Sequence, residues 1–153
     1  MEENDAKPRV ADALVPSQYR VYPDTPLPEV VDLMVRRRLH AVPVVGERYE
    51  VLGILTSGDA LAYMLSWGPT NEGEEAPAET DAPRARDVMT RSVLCVSEDQ
   101  PLPEAANMLV NRDVEQLPVV REGEFIGFIT RDSALRTLGR VDVAEDDEEE
   151  QTT

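Results

Sequence analysis

The sequence has one cysteine, Cys95, one histidine, His40, and one lysine, Lys7. A single thiol excludes an internal disulfide and fits a reducing compartment, which points to the cytoplasm. One His and one Cys leave a structural zinc site almost without ligands, so no metal is expected. Aromatic residues make up only 5% while apolar residues make up 41%, so the core must come from Val, Leu, Ile, Ala and Met. No apolar run approaches about 18 residues, and residues 1–9 are polar, which predicts neither a membrane span nor a secretory signal. No paired-carboxylate, nucleophile–base or Walker pattern is visible, so no catalysis is expected.

Positive charge is scarce as well. The formal net charge is −16. A phosphate backbone needs a basic face, so nucleic acid is excluded as a partner. The acid is concentrated in residues 72–81 and 142–150, which read as solubilising tracts. Within the repeats the charge is far more balanced, and Arg36-Arg37-Arg38 is locally basic.

What the chain does have is a duplication, spanning residues 12–61 and 87–135. Pro26-Leu27-Pro28-Glu29 recurs as Pro101-Leu102-Pro103-Glu104, an offset of 75. Pro43-Val44-Val45 recurs at that offset as Pro118-Val119-Val120. Gly53 and Thr56 return as Gly127 and Thr130 at an offset of 74, so one residue is lost near Tyr49-Glu50 and Gly123-Glu124. A repeat is read before anything else. The division it predicts is a loose arm over 1–9, a first repeat over 10–67 and an acidic Pro/Gly linker over 68–84. A second repeat over 85–141 and an acidic disordered tail over 142–153 complete it.

Each repeat shows the same order of elements. A helical turn (10–14 or 85–89) precedes a brief strand (19–22 or 93–97). A helix then starts at the Pro-Leu-Pro-Glu motif, where Pro suits the first turn and Glu suits the dipole. Val30, Leu33, Met34 and Arg37 keep helical spacing, as do Ala105, Met108, Leu109 and Arg112. Two apolar strands follow, 41–45 with 51–56 and 116–120 with 125–130, each pair predicted to form an antiparallel hairpin. A last helix starts near Gly58 or Asp132 and runs through Leu61, Met64 and Leu65, or Leu135 and Leu138.

Duplicated, this β-α-β-β-α pattern resembles a tandem pair of cystathionine-β-synthase (CBS) domains, the Bateman module. The matching residues are Asp87-Val88-Met89-Thr90, the Pro-Leu-Pro-Glu starts, Leu117-Pro118-Val119-Val120 and the Gly53-Ile54-Leu55-Thr56-x-x-Asp59 stretch. The resemblance implies an α/β fold of two repeats packed as a pseudo-twofold pair. It also implies a homodimer, and a regulatory adenosine ligand (AMP, ADP, ATP or S-adenosylmethionine) in the inter-repeat cleft. Such a module signals to a partner that the sequence does not name. It requires no cofactor for catalysis.

The strand-to-helix turn Thr56-Ser57-Gly58-Asp59 is the strongest candidate site. Backbone N–H groups at a helix start favour a phosphate, and small Gly58 allows close approach. An ionised Asp59 can accept two ribose hydroxyls. The resemblance implies Thr56 and Asp59 for ribose and phosphate, with Pro16, Ser17, Gln18, Val42 and Pro43 around the base. The competing reading is a plain helix cap. The second copy keeps Thr130 but has Ser133 where the first has Asp59; Asp132 comes one position early and points elsewhere. Ser133 can accept one hydroxyl, and Arg131 offers charge to a phosphate. With Ser92, Val93, Leu117 and Pro118 this makes a second, weaker site. The rival functional class is an interaction or scaffold module without ligand. His40 reads as a surface or capping residue, Cys95 as packing, and Val44, Val45, Val119 and Val120 as core.

Overall fold

The computed structural model describes residues 7–67, 82–91 and 93–139. A 3-10 turn at Val10–Ala13 is followed by β1 (Val15–Pro16), α1 (Leu27–Arg37), β2 (Ala41–Val45), β3 (Val51–Thr56) and α2 (Ser57–Trp67). Then come α3 (Ala85–Val88), β4 (Val96–Ser97), α4 (Leu102–Asn111), β5 (Gln116–Arg121), β6 (Glu124–Thr130) and α5 over 131–139. This is the mixed α/β fold of two repeats. The linker over 68–81, the tail from 142 and Ser92 lie outside the described residues.

Proline and leucine set the helix starts. Pro26 and Pro101 are the N-caps, and Pro28 and Pro103 fill the first turn, where a missing N–H costs nothing. The Leu27 N–H donates to the Pro83 carbonyl at 2.8 Å and the Leu102 N–H to the Pro8 carbonyl at 3.0 Å. Residues 8–9 and 82–84 are therefore tied into the fold, rather than belonging to a loose arm and linker. Leu27, Val30 and Met34 form the buried stripe of α1, and Leu102, Ala105 and Leu109 that of α4. Arg37 and Arg112 leave those stripes for solvent. α2 and α5 begin directly after β3 and β6, so Leu61, Leu65 and Leu135 point outward.

The chain divides into two compact units. One comprises residues 19–93 with 123–125; the other draws on residues up to 18, 94–122 and from 126 onward. The units cut across the sequence repeats. Ala85, from the second repeat, fills the core of the first unit beside Val21, Val30, Val42, Val44 and Leu55. Val10 and Ala13, from the first repeat, fill the core of the second beside Val96, Leu109, Val119 and Ile129.

Both units use one strand plan. In the second, the sheet order is β1-β6-β5-β4, with β1 antiparallel to β6 (Val15 opposite Phe128) and β4 parallel to β5 (Val96 opposite Val119). In the first, β2 and β3 form the antiparallel hairpin, flanked by single bridges: Val21 parallel to Val44, and Thr90 antiparallel to Ile54. The expected strand over 19–22 is thus one residue. Only Val21 pairs before the turn at Pro23 and Asp24 intervenes.

The short strand at Val15–Pro16 is absent from the sequence reading; it crowds Gly127 as Thr90 crowds Gly53, which explains the repeated glycine. A Cβ on Gly53 would stand 2.8 Å from the Thr90 carbonyl oxygen, and one on Gly127 would stand 2.9 Å from Pro16 Cα. Only glycine allows a neighbouring backbone that close.

Candidate functional site

At the end of β3, Thr56 and Asp59 cap one another. The Asp59 N–H donates to Thr56 Oγ1 at 3.0 Å, and the Thr56 N–H donates to Asp59 Oδ2 at 3.3 Å. This reciprocal box satisfies two donors at once, as in other helix starts of the Thr-x-x-acid type. The Ser57 N–H is also taken, by the His40 carbonyl at 2.9 Å. The helix start therefore presents fewer free N–H groups to an anion than the sequence implies. Gly58 is exposed, and an added Cβ there would meet only Thr56 Oγ1, at 3.8 Å. The box uses one oxygen of half-buried Asp59, and Oδ1 remains able to accept hydroxyl donors.

The end of β6 repeats this geometry with different chemistry. The Ser133 N–H donates to Thr130 Oγ1 and the Thr130 N–H to Ser133 Oγ, both at 2.9 Å. Ser133 Oγ also donates to the Thr130 carbonyl at 3.2 Å. One hydroxyl is spent closing the box, where Asp59 keeps an oxygen. The Arg131 N–H goes to the Glu115 carbonyl at 3.1 Å, matching Ser57 and His40.

Arg131 does not extend freely toward a ligand. Its Nε donates to the Val114 carbonyl at 2.9 Å, and Nη2 pairs with Asp113 at 2.9 Å. Glu115 lies 3.7 Å from Nη1. Nη2 also lies 3.5 Å from the Leu109 carbonyl, so the guanidinium sits at the C-terminal end of α4, a favourable place for a cation.

The remaining site residues group differently from the sequence expectation. Val42, Pro43 and Val93 share a unit with Thr56–Asp59, whereas Pro16, Ser17 and Gln18 share one with Leu117, Pro118, Thr130, Arg131 and Ser133. Pro16 pairs with Gly127, and the Ser17 N–H donates to the Ile126 carbonyl at 3.3 Å, which holds this segment along β6. Val42, Pro43, Leu117 and Pro118 are buried, so their side chains serve the core. Val44, Val45 and Val119 are core as expected, while Val120 is half-buried. Cys95 is half-buried, and burial pushes its thiol pKa up, which disfavours the reactive thiolate. Among the described residues no cluster of three or more His, Cys, Asp and Glu could hold a metal, and no helix is long and apolar enough to cross a membrane.

Sequence reasoning missed the Pro-Arg pairs that open each unit's helix. The Arg9 and Arg84 N–H groups each donate to an aspartate, Asp12 and Asp87, at 2.8 Å. Their guanidinium groups reach the Asp99 and Asp24 carbonyls at 2.7 and 2.8 Å. The signal was present, since Pro8-Arg9 and Pro83-Arg84 recur at the repeat offset.

The family profile described as CBS domain matches residues 10–66 and again residues 85–140. The chain belongs to the CBS-domain family. The tandem CBS module resembles the chloroplastic CBS domain-containing protein CBSX2 of Arabidopsis thaliana, 26% identical over 147 residues that cover 83% of this chain and 62% of that protein. The chain thus spans under two thirds of that curated relative. The crystal structure of CBSX2 superposes with a TM-score of 0.71 at 29% identity, covering 88% of this chain and 96% of that one. CBSX2 has also been solved in complex with AMP, with a TM-score of 0.69 at 26% identity and coverage of 88% and 98%. The module recurs within larger proteins: the inosine-5'-monophosphate dehydrogenase of Methanocaldococcus jannaschii is 30% identical over 117 residues, 76% of this chain but 21% of that enzyme.

Proposed function

We propose that this chain is a regulatory CBS pair that binds an adenosine-containing ligand and passes the resulting shift to a partner protein, without catalysis of its own. AMP, ADP, ATP and S-adenosylmethionine are the candidate ligands. The observation that carries the reading is the Thr56–Asp59 box, in which a half-buried carboxylate keeps Oδ1 for a ribose. The AMP complex of CBSX2 supports it. Thr56 is used as an acceptor in the box, so its own O–H can still donate to a phosphate oxygen. A ligand that prefers one arrangement of the module shifts its population by that difference in affinity, and a partner can read the shift.

The turn at Thr130–Ser133 is the weaker site, because its hydroxyl is committed and Arg131 is engaged at α4. That closed box favours a second reading, an interaction module whose second turn has lost its ligand. The pair works as a homodimer in a reducing compartment, for which we take the cytoplasm. Matching apolar positions left open on the helices of both units support the dimer.

Calorimetric titration of the full chain with AMP, ADP, ATP and S-adenosylmethionine tests the reading. One of the four should bind, with a thermal shift equivalent to about 2.7 kcal/mol at a hundred times its dissociation constant. Silence from all four leaves the interaction module as the function.

A further inference from the structure

Each unit builds the end of its first long helix on one backbone frame. The Leu39 N–H donates to the Met34 carbonyl at 2.9 Å, and the Val114 N–H to the Leu109 carbonyl at 3.2 Å. Arg38 and Asp113 follow α1 and α4 in the same left-handed conformation, with φ of 56° and 55°. The next helix is tied back alike, by the Ser57 N–H to the His40 carbonyl and the Arg131 N–H to the Glu115 carbonyl. Side chains 38 and 113, 40 and 115, and 57 and 131 therefore leave from matching points.

On that frame the charges are reversed. In the second unit the central residue is a cation, Arg131, which bridges Asp113 at 2.9 Å and Glu115 at 3.7 Å. The start of α5 is thereby fastened to the end of α4 by the chain's own side chains. In the first unit Ser57 stands in the central place, with Arg38 and His40 where the second has acids. A serine hydroxyl carries no charge and has far less reach than an arginine. Arg36 is neutralised by Asp32 at 2.9 Å, but among the described residues no acid lies within ion-pair distance of Arg38. A group that makes the equivalent bridge in the first unit has to be an anion, and it has to sit beside the Thr56–Asp59 turn.

We propose that the first turn takes an adenosine ligand with an anionic tail, a nucleotide and not S-adenosylmethionine. Its phosphate, held by Arg38, joins the start of α2 to the end of α1 as Arg131 joins α5 to α4. This assignment rests on the adenosine-ligand reading above. The tail of S-adenosylmethionine carries a sulfonium and an ammonium against one carboxylate, so it meets Arg38 with net positive charge. A phosphate accepts the paired N–H groups of a guanidinium, and such charge-assisted bonds are the strong ones. The two units then differ in kind. The second is fastened by its own side chain at all times, whereas the first is fastened only with ligand, which gives a partner two states to tell apart.

Calorimetric titration of the full chain with adenosine, AMP and S-adenosylmethionine tests the assignment. AMP should bind about tenfold or more tighter than adenosine, and S-adenosylmethionine no tighter than adenosine. Arg38→Gly removes the guanidinium and suits a left-handed backbone, so the fold tolerates it. It should weaken AMP about three- to tenfold and leave adenosine within about twofold. Hydrogen exchange reads the bridge itself. Without ligand, amides 57–60 should exchange faster than amides 131–134; AMP should slow the first set, and Arg131→Ser should speed the second. S-adenosylmethionine binding as tightly as AMP, or Arg38→Gly weakening adenosine and AMP alike, overturns the assignment and leaves the ligand reading standing. Equal exchange at the two helix starts overturns the contrast between the units. Silence toward all three compounds removes the ligand reading, and this assignment with it.

Discussion

Ile54 and Thr90 exchange both backbone hydrogen bonds, at 2.9 and 2.8 Å, although they belong to different copies of the repeat. The first unit is thereby completed by chain from the second copy. Ala85, fully buried in the first unit's core, belongs to that same borrowed segment.

A fragment of residues 1–70 should therefore fail to fold as a cooperative monomer. It lacks Ala85, the Thr90 edge and the Pro83 carbonyl that caps Leu27. Such a short chain also buries little surface of its own. Circular dichroism melting and sedimentation of the fragment should show a broad, weak transition or self-association. Adding residues 82–91 back through a short linker should sharpen the transition.

Gly53→Ala should destabilise the chain by about 1–3 kcal/mol, because the new methyl meets backbone at Thr90 that cannot move without breaking the exchanged bonds. Gly127→Ala should behave alike against Pro16. Gly58→Ala meets nothing closer than 3.8 Å and replaces glycine within a helix, so it should be neutral or stabilising by up to about 1 kcal/mol. Denaturant unfolding distinguishes the three. If Gly58 serves close approach of a ligand, its alanine variant should lose binding while keeping stability.

Asp59→Ala should weaken adenosine-ligand binding about tenfold to a hundredfold, because a charge-assisted hydrogen bond is worth roughly 1.5–3 kcal/mol. Ser133→Ala should change it far less. Ser133→Asp, by copying the Asp59 box, should raise the stoichiometry measured by calorimetry. The same loss in Ser133→Ala as in Asp59→Ala would mean that both turns bind equally.

Cys95 should react slowly with a thiol reagent in the native chain and rapidly after denaturation. Burial raises its thiol pKa, so the folded state favours the neutral thiol. The sign is that of a raised group: the associated stability is present below the ordinary thiol range and is lost as pH climbs through the folded value. The stability difference between wild type and Cys95→Ser should change on the alkaline side alone.

Much was legible in the sequence because it is locally encoded. Pro26-Leu27-Pro28-Glu29 and its copy specify helix starts through proline geometry and a buried leucine. The apolar runs 41–45 and 51–56 specify a hairpin by composition and spacing. The duplication itself gave away the family, and Thr56 with Asp59 marked a turn with two possible roles.

Tertiary structure decided which segment completes which unit. Residues 8–18 and 82–91 are too short and too mixed to show where they pack, since a two-residue strand has no periodicity. Their places depend on edges and core vacancies left by residues distant in sequence, at Gly53, Gly127, Leu55 and Ile129. Tertiary structure likewise decided how Arg131 is used. Its sequence position beside Thr130 offered charge to a phosphate, but the Val114 carbonyl and the Asp113 carboxylate, just past the end of α4, lie within reach and hold the guanidinium. The sequence determined what each repeat is made of, because helix caps and strand pairs are local; the exchange between repeats follows from long-range packing, which no local pattern records.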